Sequence, residues 1–229
     1  MSSSIAERLE NLRQRIAAAE AAAGRHPGSV QLLAVSKTQS AARVAEAAAA
    51  GQRLFAENYL QEALDKMEAL DDAGLTWHFI GPIQSNKTRP LAERFDWVHS
   101  VDRLKIAQRL NDQRPDDLPP LNILIQVNVS GEQSKSGLPL NEVPALAAAI
   151  SALPRLRLRG LMCIPAPETD PELQRAPFQQ LRQLRDGLLA AGHTDCTELS
   201  MGMSGDFPAA IMEGATFVRI GTDLFGPRQ

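Results

Sequence analysis

Two basic residues stand where a charge is costly. Lys37 closes the apolar run Leu32-Leu33-Ala34-Val35-Ser36-Lys37, and Arg219 lies inside another, Phe217-Val218-Arg219-Ile220. Lysine and arginine are almost never fully buried unless paired, and both runs have the composition of core strands. A lysine amine can form a Schiff base with an aldehyde, and an arginine can hold a ring nitrogen or a phosphate. If both charges face one cavity, an anionic ligand with a carbonyl is a natural guest. Each residue also has a plainer reading. Lys37 could snorkel to solvent from a strand end, and Arg219 could close a structural salt bridge.

Two short stretches nearby suit an anion. Ser200-Met201-Gly202-Met203-Ser204-Gly205-Asp206 closes a strand and enters a helix, and small residues before a helix N-terminus leave amides free to bind an anion. Gly221-Thr222 follows Ile220 and offers close backbone approach and a hydroxyl. Asp206 suits the part of helix cap better than that of ligand, because a carboxylate repels phosphate. The Met201/Met203 pair at strand spacing reads more readily as packing than as ligand contact.

The elements that must carry these residues alternate along the chain. Ile5, Leu9, Leu12 and Ile16 recur at helical spacing, so residues 4–24 form an opening amphipathic helix. Strands are predicted at 31–37, 53–57, 77–81, 96–100, 122–129, 158–164, 197–203 and 216–221. Helical patterns fill 40–50, 59–71, 86–94, 102–113, 140–152, 171–191 and 206–214. Such alternation implies parallel pairing, because each crossover needs a helix. Eight strands close a (β/α)8 TIM-type barrel in a chain of this length. The expectation is a single α/β domain over residues 1–229, with residues 164–171 a surface loop. Gly51, Gly74 and Gly192 read as helix C-terminal caps and Asp102 as an N-terminal cap.

A barrel places its active site at the C-terminal ends of the strands, and binds phosphate on the loops after the seventh and eighth. Lys37 ends the first strand. Alternation puts Leu33, Val35 and Lys37 on one side, and Phe217, Arg219 and Gly221 on one side of the last strand. The first set should fill the barrel, with Lys37 at its mouth, and Arg219 should point inward beside it.

Composition narrows the function classes. The 229 residues are 44% hydrophobic and 22% charged, enough to bury a full core. A net charge of −3 without a basic stripe argues against nucleic acid as the main partner. Two cysteines, Cys163 and Cys196, are too few for a disulfide framework and suit a reducing cytoplasm. Both read as small core residues. No signal peptide and no membrane-spanning stretch is evident, and no metal site is expected.

Six motifs stand out along the chain. They are Ala34-Val-Ser-Lys37-Thr38, Phe55-Ala-Glu57-Asn58-Tyr-Leu-Gln-Glu62 and Trp77-His78-Phe-Ile-Gly81-Pro-Ile-Gln84-Ser-Asn86-Lys87. Gly160-Leu-Met162, Leu199-Ser-Met-Gly-Met203-Ser204-Gly205-Asp206 and Val218-Arg219-Ile-Gly221-Thr222-Asp-Leu-Phe-Gly226 complete the set. Taken together, these motifs resemble the pyridoxal 5′-phosphate (PLP) homeostasis proteins, the YggS/PROSC-type PLP-binding family, over essentially the whole length. The resemblance implies PLP held as an aldimine on Lys37, with Arg219 at the pyridine nitrogen. Ser204, Gly221 and Thr222 would hold the phosphate, with Gly205 in the same loop. Asn58 would lie near the ring hydroxyl, and Met162 and Met203 would line the cavity. Gly205 departs mildly from the family pattern, which has an acidic or polar residue before Asp206. His78 counts among the cofactor-binding candidates, yet between Trp77 and Phe79 it reads equally as a core histidine. Lys87 and Lys135, in predicted loops, could receive an aldehyde in transit, although ordinary solvated lysines are the simpler reading.

The expected function is PLP storage, buffering or delivery within vitamin B6 homeostasis, with apo PLP-dependent enzymes as recipients and no catalytic residue of its own. A monomer is the default. The rival is an amino-acid racemase, because the same barrel resembles the first domain of alanine racemase. Racemisation needs acid/base groups on both faces of a planar carbanion. That family takes its second base from a tyrosine on an additional β-domain. Here the sequence runs only to Gln229 past the last predicted strand, and its one tyrosine is Tyr59.

Overall fold

The computed structural model describes residues 3–131 and 136–226. All eight predicted strands form, within a few residues of their expected ends. They are β1 (Gln31–Val35), β2 (Leu54–Glu57), β3 (Thr76–Phe79), β4 (Trp97–Val101), β5 (Leu121–Asn128), β7 (Leu156–Met162), β8 (Glu198–Ser200) and β9 (Phe217–Ile220). An unpredicted two-residue strand, β6 (Leu138–Pro139), adds to the end of β5. The pairings run β4-β3-β2-β1-β9-β8-β7-β5, and β5 pairs back to β4, so the sheet closes into a parallel barrel of eight strands. Parallel neighbours require helical crossovers. These are α2 (Ala41–Ala49), α3 (Leu60–Ala69), α4 (Thr88–Arg94), α5 (Leu104–Gln113), α6 (Val143–Ile150), α7 (Pro171–Ala190) and α8 (Phe207–Met212).

Two elements lie outside the repeat. The opening helix α1 (Ile5–Ala22) buries Ile5, Leu9, Leu12 and Ile16, and packs on α2, on α8 and on α9 (Thr222–Phe225). Its start is fixed by a capping box, in which Ser4 Oγ accepts from Glu7 N and Glu7 Oε2 accepts from Ser4 N. The four-residue α9 is too short for periodicity to reveal. Arg15 pairs with Asp223 at 2.7 Å, and Arg43 donates to the Phe225 carbonyl, so α9 is tied to both α1 and α2.

Alternation divides the side chains of the wall. Leu32, Ala34, Phe55, Trp77, Phe79, Val98, Val218 and Ile220 face the helices and join the large apolar core. Leu33, Val35, Ala56, Ile80 and Phe217 form a separate, smaller cluster inside the barrel. Gly51, Gly74 and Gly192 close their helices with φ of 91°, 59° and 98°, as helix-ending left-handed residues do. Two expected N-caps fail. Asp102 accepts from the Arg103 guanidinium, and Arg103 takes the cap position of α5. Asp206 occupies the cap position of α8 but turns its carboxylate back to Met203 N, at 2.6 Å. Residues 163–170 form an exposed loop before α7, as expected, apart from buried Cys163 and Pro165.

Candidate functional site

Lys37 follows β1 in a turn that is held from outside the wall. Ser36 faces outward, and its Oγ donates to Glu57 Oε1 at 2.6 Å. Lys66 of α3 donates to the same oxygen and to the Ser36 carbonyl, both at 2.7 Å. Thr38 has φ of 65°, unusual for a β-branched residue, and its amide donates to Glu62 Oε2 at 2.8 Å. Lys37 therefore sits, half-buried, between two anchored neighbours. Burial pushes the Glu57 carboxyl above its ordinary value, while the hydrogen bonds from Lys66 and Ser36 pull it back.

Arg219 points into the barrel, as strand alternation requires, and is 3% exposed. Its Nη1 donates to Ser200 Oγ and its Nη2 to the Cys163 carbonyl, both at 2.8 Å. Ser200 Oγ lies 2.9 Å from His99 Nδ1, and His99 Nε2 lies 2.9 Å from His78 Nδ1. Beneath them Trp97 stacks on His78 at 5.4 Å, and Phe217 meets His78 edge-on at 5.5 Å. Burial holds His78 down to about 3. It also holds His99 well below its usual value, reinforced by His78 and Arg219. Both imidazoles are thus neutral, and burial pushes the Cys163 thiol up to about 12, so no thiolate forms. Among the described residues Arg219 makes no ion pair, so the salt-bridge alternative does not hold. The acceptors that meet its guanidinium are both neutral, the Asp206 carboxylate acts on it only through space, and it has further N–H groups to give.

Register brings Lys37 and Arg219 to one place. β1 pairs directly with β9, Leu33 opposite Arg219 and Ala34 opposite Ile220. The next residue, Gly221, packs against Val35, where a Cβ would lie 3.2 Å from the Val35 carbonyl oxygen. On the other side of β1, the loops after β2 and β3 touch. A Cβ on Gly81 would sit 2.0 Å from the Asn58 carbonyl oxygen, so only glycine permits that approach. Asn58 Oδ1 is buried without a partner. Ser204 is half-buried, while Gly205, Thr222 and Met203 are exposed on loops that follow β8 and β9. Met162 is fully buried at the end of β7, opposite Ser200 in register.

Comparison with known proteins now bears on this arrangement. Residues 8–229 match the family described as alanine racemase, N-terminal domain. The pyridoxal phosphate homeostasis protein of Pseudomonas aeruginosa is 62% identical over 226 residues, covering 99% of this chain and 96% of that one. That of Escherichia coli K12 is 54% identical over 229 residues, covering 98% and 97%. The chain belongs to the pyridoxal phosphate homeostasis protein family. A solved relative, PipY of Synechococcus elongatus with PLP bound, superposes with a TM-score of 0.85 at 42% identity, covering 97% of this chain and 100% of that one. Alanine racemase of Corynebacterium glutamicum shares the barrel alone, with a TM-score of 0.68 at 19% identity, covering 96% of this chain and 62% of that one.

Within this family member the predicted residues do not all converge. Lys37, Asn58, Arg219, Gly221 and Thr222 stand at or just past the C-terminal ends of β1, β2 and β9, and Ser204 and Gly205 lie in the loop after β8. His78 lies below them, fully buried, and reaches Arg219 only through His99 and Ser200. Lys87 is exposed beside a hollow of about 390 Å³ that Asn58, Tyr59 and Gln84 help to line. Lys135 lies outside the described residues. Nothing in the sequence singles out Ser200, whereas His99 shares with Trp97 on β4 the same inward alternation that Arg219 has on β9. The Glu57–Lys66 pair carried no such signal, because Lys66 has the spacing of an ordinary helix-surface lysine.

Proposed function

We propose that this protein binds PLP and serves its intracellular homeostasis, holding, buffering or delivering the cofactor without robust turnover of amino acids. The observation that carries this reading is Arg219, a buried cation whose hydrogen-bond acceptors are all neutral, set by strand register beside the end of the strand that bears Lys37. Asn58 Oδ1, buried and unmet at the same end, is a second vacancy for a polar ligand group. The residues present therefore fit the cofactor.

PLP, when bound, supplies an aldehyde that condenses reversibly with an amine, a pyridine nitrogen and a phosphate. Lys37 is the amine for the aldehyde, and Arg219 donates toward the ring nitrogen. An arginine there keeps the ring unprotonated, which weakens it as an electron sink. Ser204, Gly205, Gly221 and Thr222 receive the phosphate, where small residues and a hydroxyl leave backbone amides accessible. Asn58 would face the ring's polar edge, and Met162 and Met203 would flank the ligand. Tyr59, the one tyrosine of the sequence, is 54% exposed, which supports a holding protein over a racemase with a buried second base. Delivery to apo PLP-dependent enzymes, a monomeric state and a cytoplasmic location belong to the same proposal.

The test is chemical. The purified protein should show a visible absorbance band with PLP, and borohydride reduction should leave a pyridoxyl group on the Lys37 peptide. Absence of both overturns the reading. Rapid exchange of L- and D-alanine, lost in Lys37→Ala, would replace it with a racemase.

A further inference from the structure

The chain Arg219–Ser200–His99–His78 has a direction that donor and acceptor counting fixes. A guanidinium only donates, so Ser200 Oγ accepts from Arg219 Nη1 at 2.8 Å. A neutral imidazole has one N–H and one lone pair, and two arrangements then satisfy the links from Ser200 to His99 and from His99 to His78. In the first, Ser200 donates to His99 Nδ1, and His99 Nε2 donates to His78 Nδ1. Only the N–H of His78 Nε2 is left over. In the second, both links reverse. Ser200 Oγ accepts twice, its own hydrogen finds no acceptor in the chain, and the lone pair of His78 Nε2 is left over as well. His78 Nε2 is buried without a partner, as both arrangements require. Unmet buried groups are costly, so the arrangement that strands one is favoured over the one that strands two.

That direction has a consequence for Arg219. A hydroxyl that donates to an imidazole accepts more strongly on its other side, because hydrogen bonds in a chain polarise one another. Ser200 is thereby tuned to grip Nη1 while the Cys163 carbonyl grips Nη2. Two anchors from neighbouring strands fix the plane of the guanidinium. The aromatic pair Trp97 and Phe217 fixes the imidazoles from below.

We propose that Ser200 and His99, backed by His78, are positioning residues that hold the Arg219 guanidinium at the angle required by the ring nitrogen of the ligand. This rests on the reading that the ligand is PLP. The test compares binding of PLP with binding of its 1-deaza analogue, in which carbon replaces the ring nitrogen. Wild-type protein should prefer PLP by about tenfold. Ser200→Ala and His99→Phe should bring that ratio close to one, with affinity for the analogue altered by less than roughly threefold.

Equal weakening of both ligands, with the ratio kept, would make the chain a merely structural element and overturn the proposal. Wild-type protein that binds both ligands equally overturns it too, while leaving the PLP reading intact. Wild-type protein that binds neither overturns the PLP reading itself. Nitrogen-15 spectra of the wild-type imidazoles give a measure independent of variant folding. Both rings should carry their proton on Nε2, and a proton on Nδ1 of either ring refutes the direction.

Discussion

Two buried polar clusters lie on opposite sides of one barrel wall and are built on different principles. The outer one, Ser36, Glu57 and Lys66, encloses a cation and an anion 2.7 Å apart. The inner one holds a cation, a hydroxyl, two neutral imidazoles and a carbonyl, and its nearest anionic influence, Asp206, acts through space without a direct contact. A cluster that cancels its own charge is complete as folded. One that does not keeps hydrogen-bonding capacity to spare. Burial alone would not have told them apart, since Glu57 and Arg219 are 0% and 3% exposed. The sign of the partners does.

Breaking each cluster at its cation should separate them most clearly. Lys66→Met leaves Glu57 buried without a counter-charge and should cost about 3–5 kcal/mol in urea denaturation. Adding Glu57→Gln should recover much of that loss. Arg219→Leu should cost less than about 2 kcal/mol, because relief of a buried charge offsets two lost neutral hydrogen bonds. A loss as large as that of Lys66→Met would make Arg219 a structural residue and erase the distinction.

Acid should sharpen the contrast further. The histidines are depressed in the folded state, His78 to about 3, so the unfolded chain binds more protons below about 6.5. Their contribution to stability is complete above that pH and is lost as pH falls toward the folded values. Glu57 is raised and acts with the opposite sign, so acid relieves its cluster. His78→Phe should flatten the pH dependence of unfolding free energy between pH 4.5 and 6 by up to about 1.4 kcal/mol per pH unit. An unchanged slope would mean that His78 is charged or exposed. The smallest effect belongs to the turn that joins Lys37 to the outer cluster. Thr38→Gly removes the cost of a positive φ but loosens the unfolded chain, for a net change below about 1 kcal/mol in thermal unfolding. A larger loss would show that the Thr38 side chain, and not only its amide, holds the turn.

What the sequence revealed follows from the range over which each signal acts. The facing of Leu33, Val35 and Arg219 was legible, because alternation is a property of one strand. The barrel was legible from the alternation of strand and helix. The partners of Arg219 were not, because Ser200 and Cys163 meet it only through the stagger of β7, β8 and β9. Asp102 and Asp206 misled as caps because each carboxylate found a nearer donor, the Arg103 guanidinium and Met203 N. Lys66 looked like a surface residue because helical spacing does not record a buried carboxylate on the neighbouring strand.

The pairing of β1 with β9 has a consequence for synthesis. These are the barrel strands furthest apart along the chain, and Lys37 and Arg219 belong to them. A nascent chain leaving the ribosome carries Lys37 early and Arg219 late, so the cradle cannot exist until nearly the whole barrel has emerged. Ligand present at that moment acts on ring closure itself, since whatever binds only the closed form draws the equilibrium toward it.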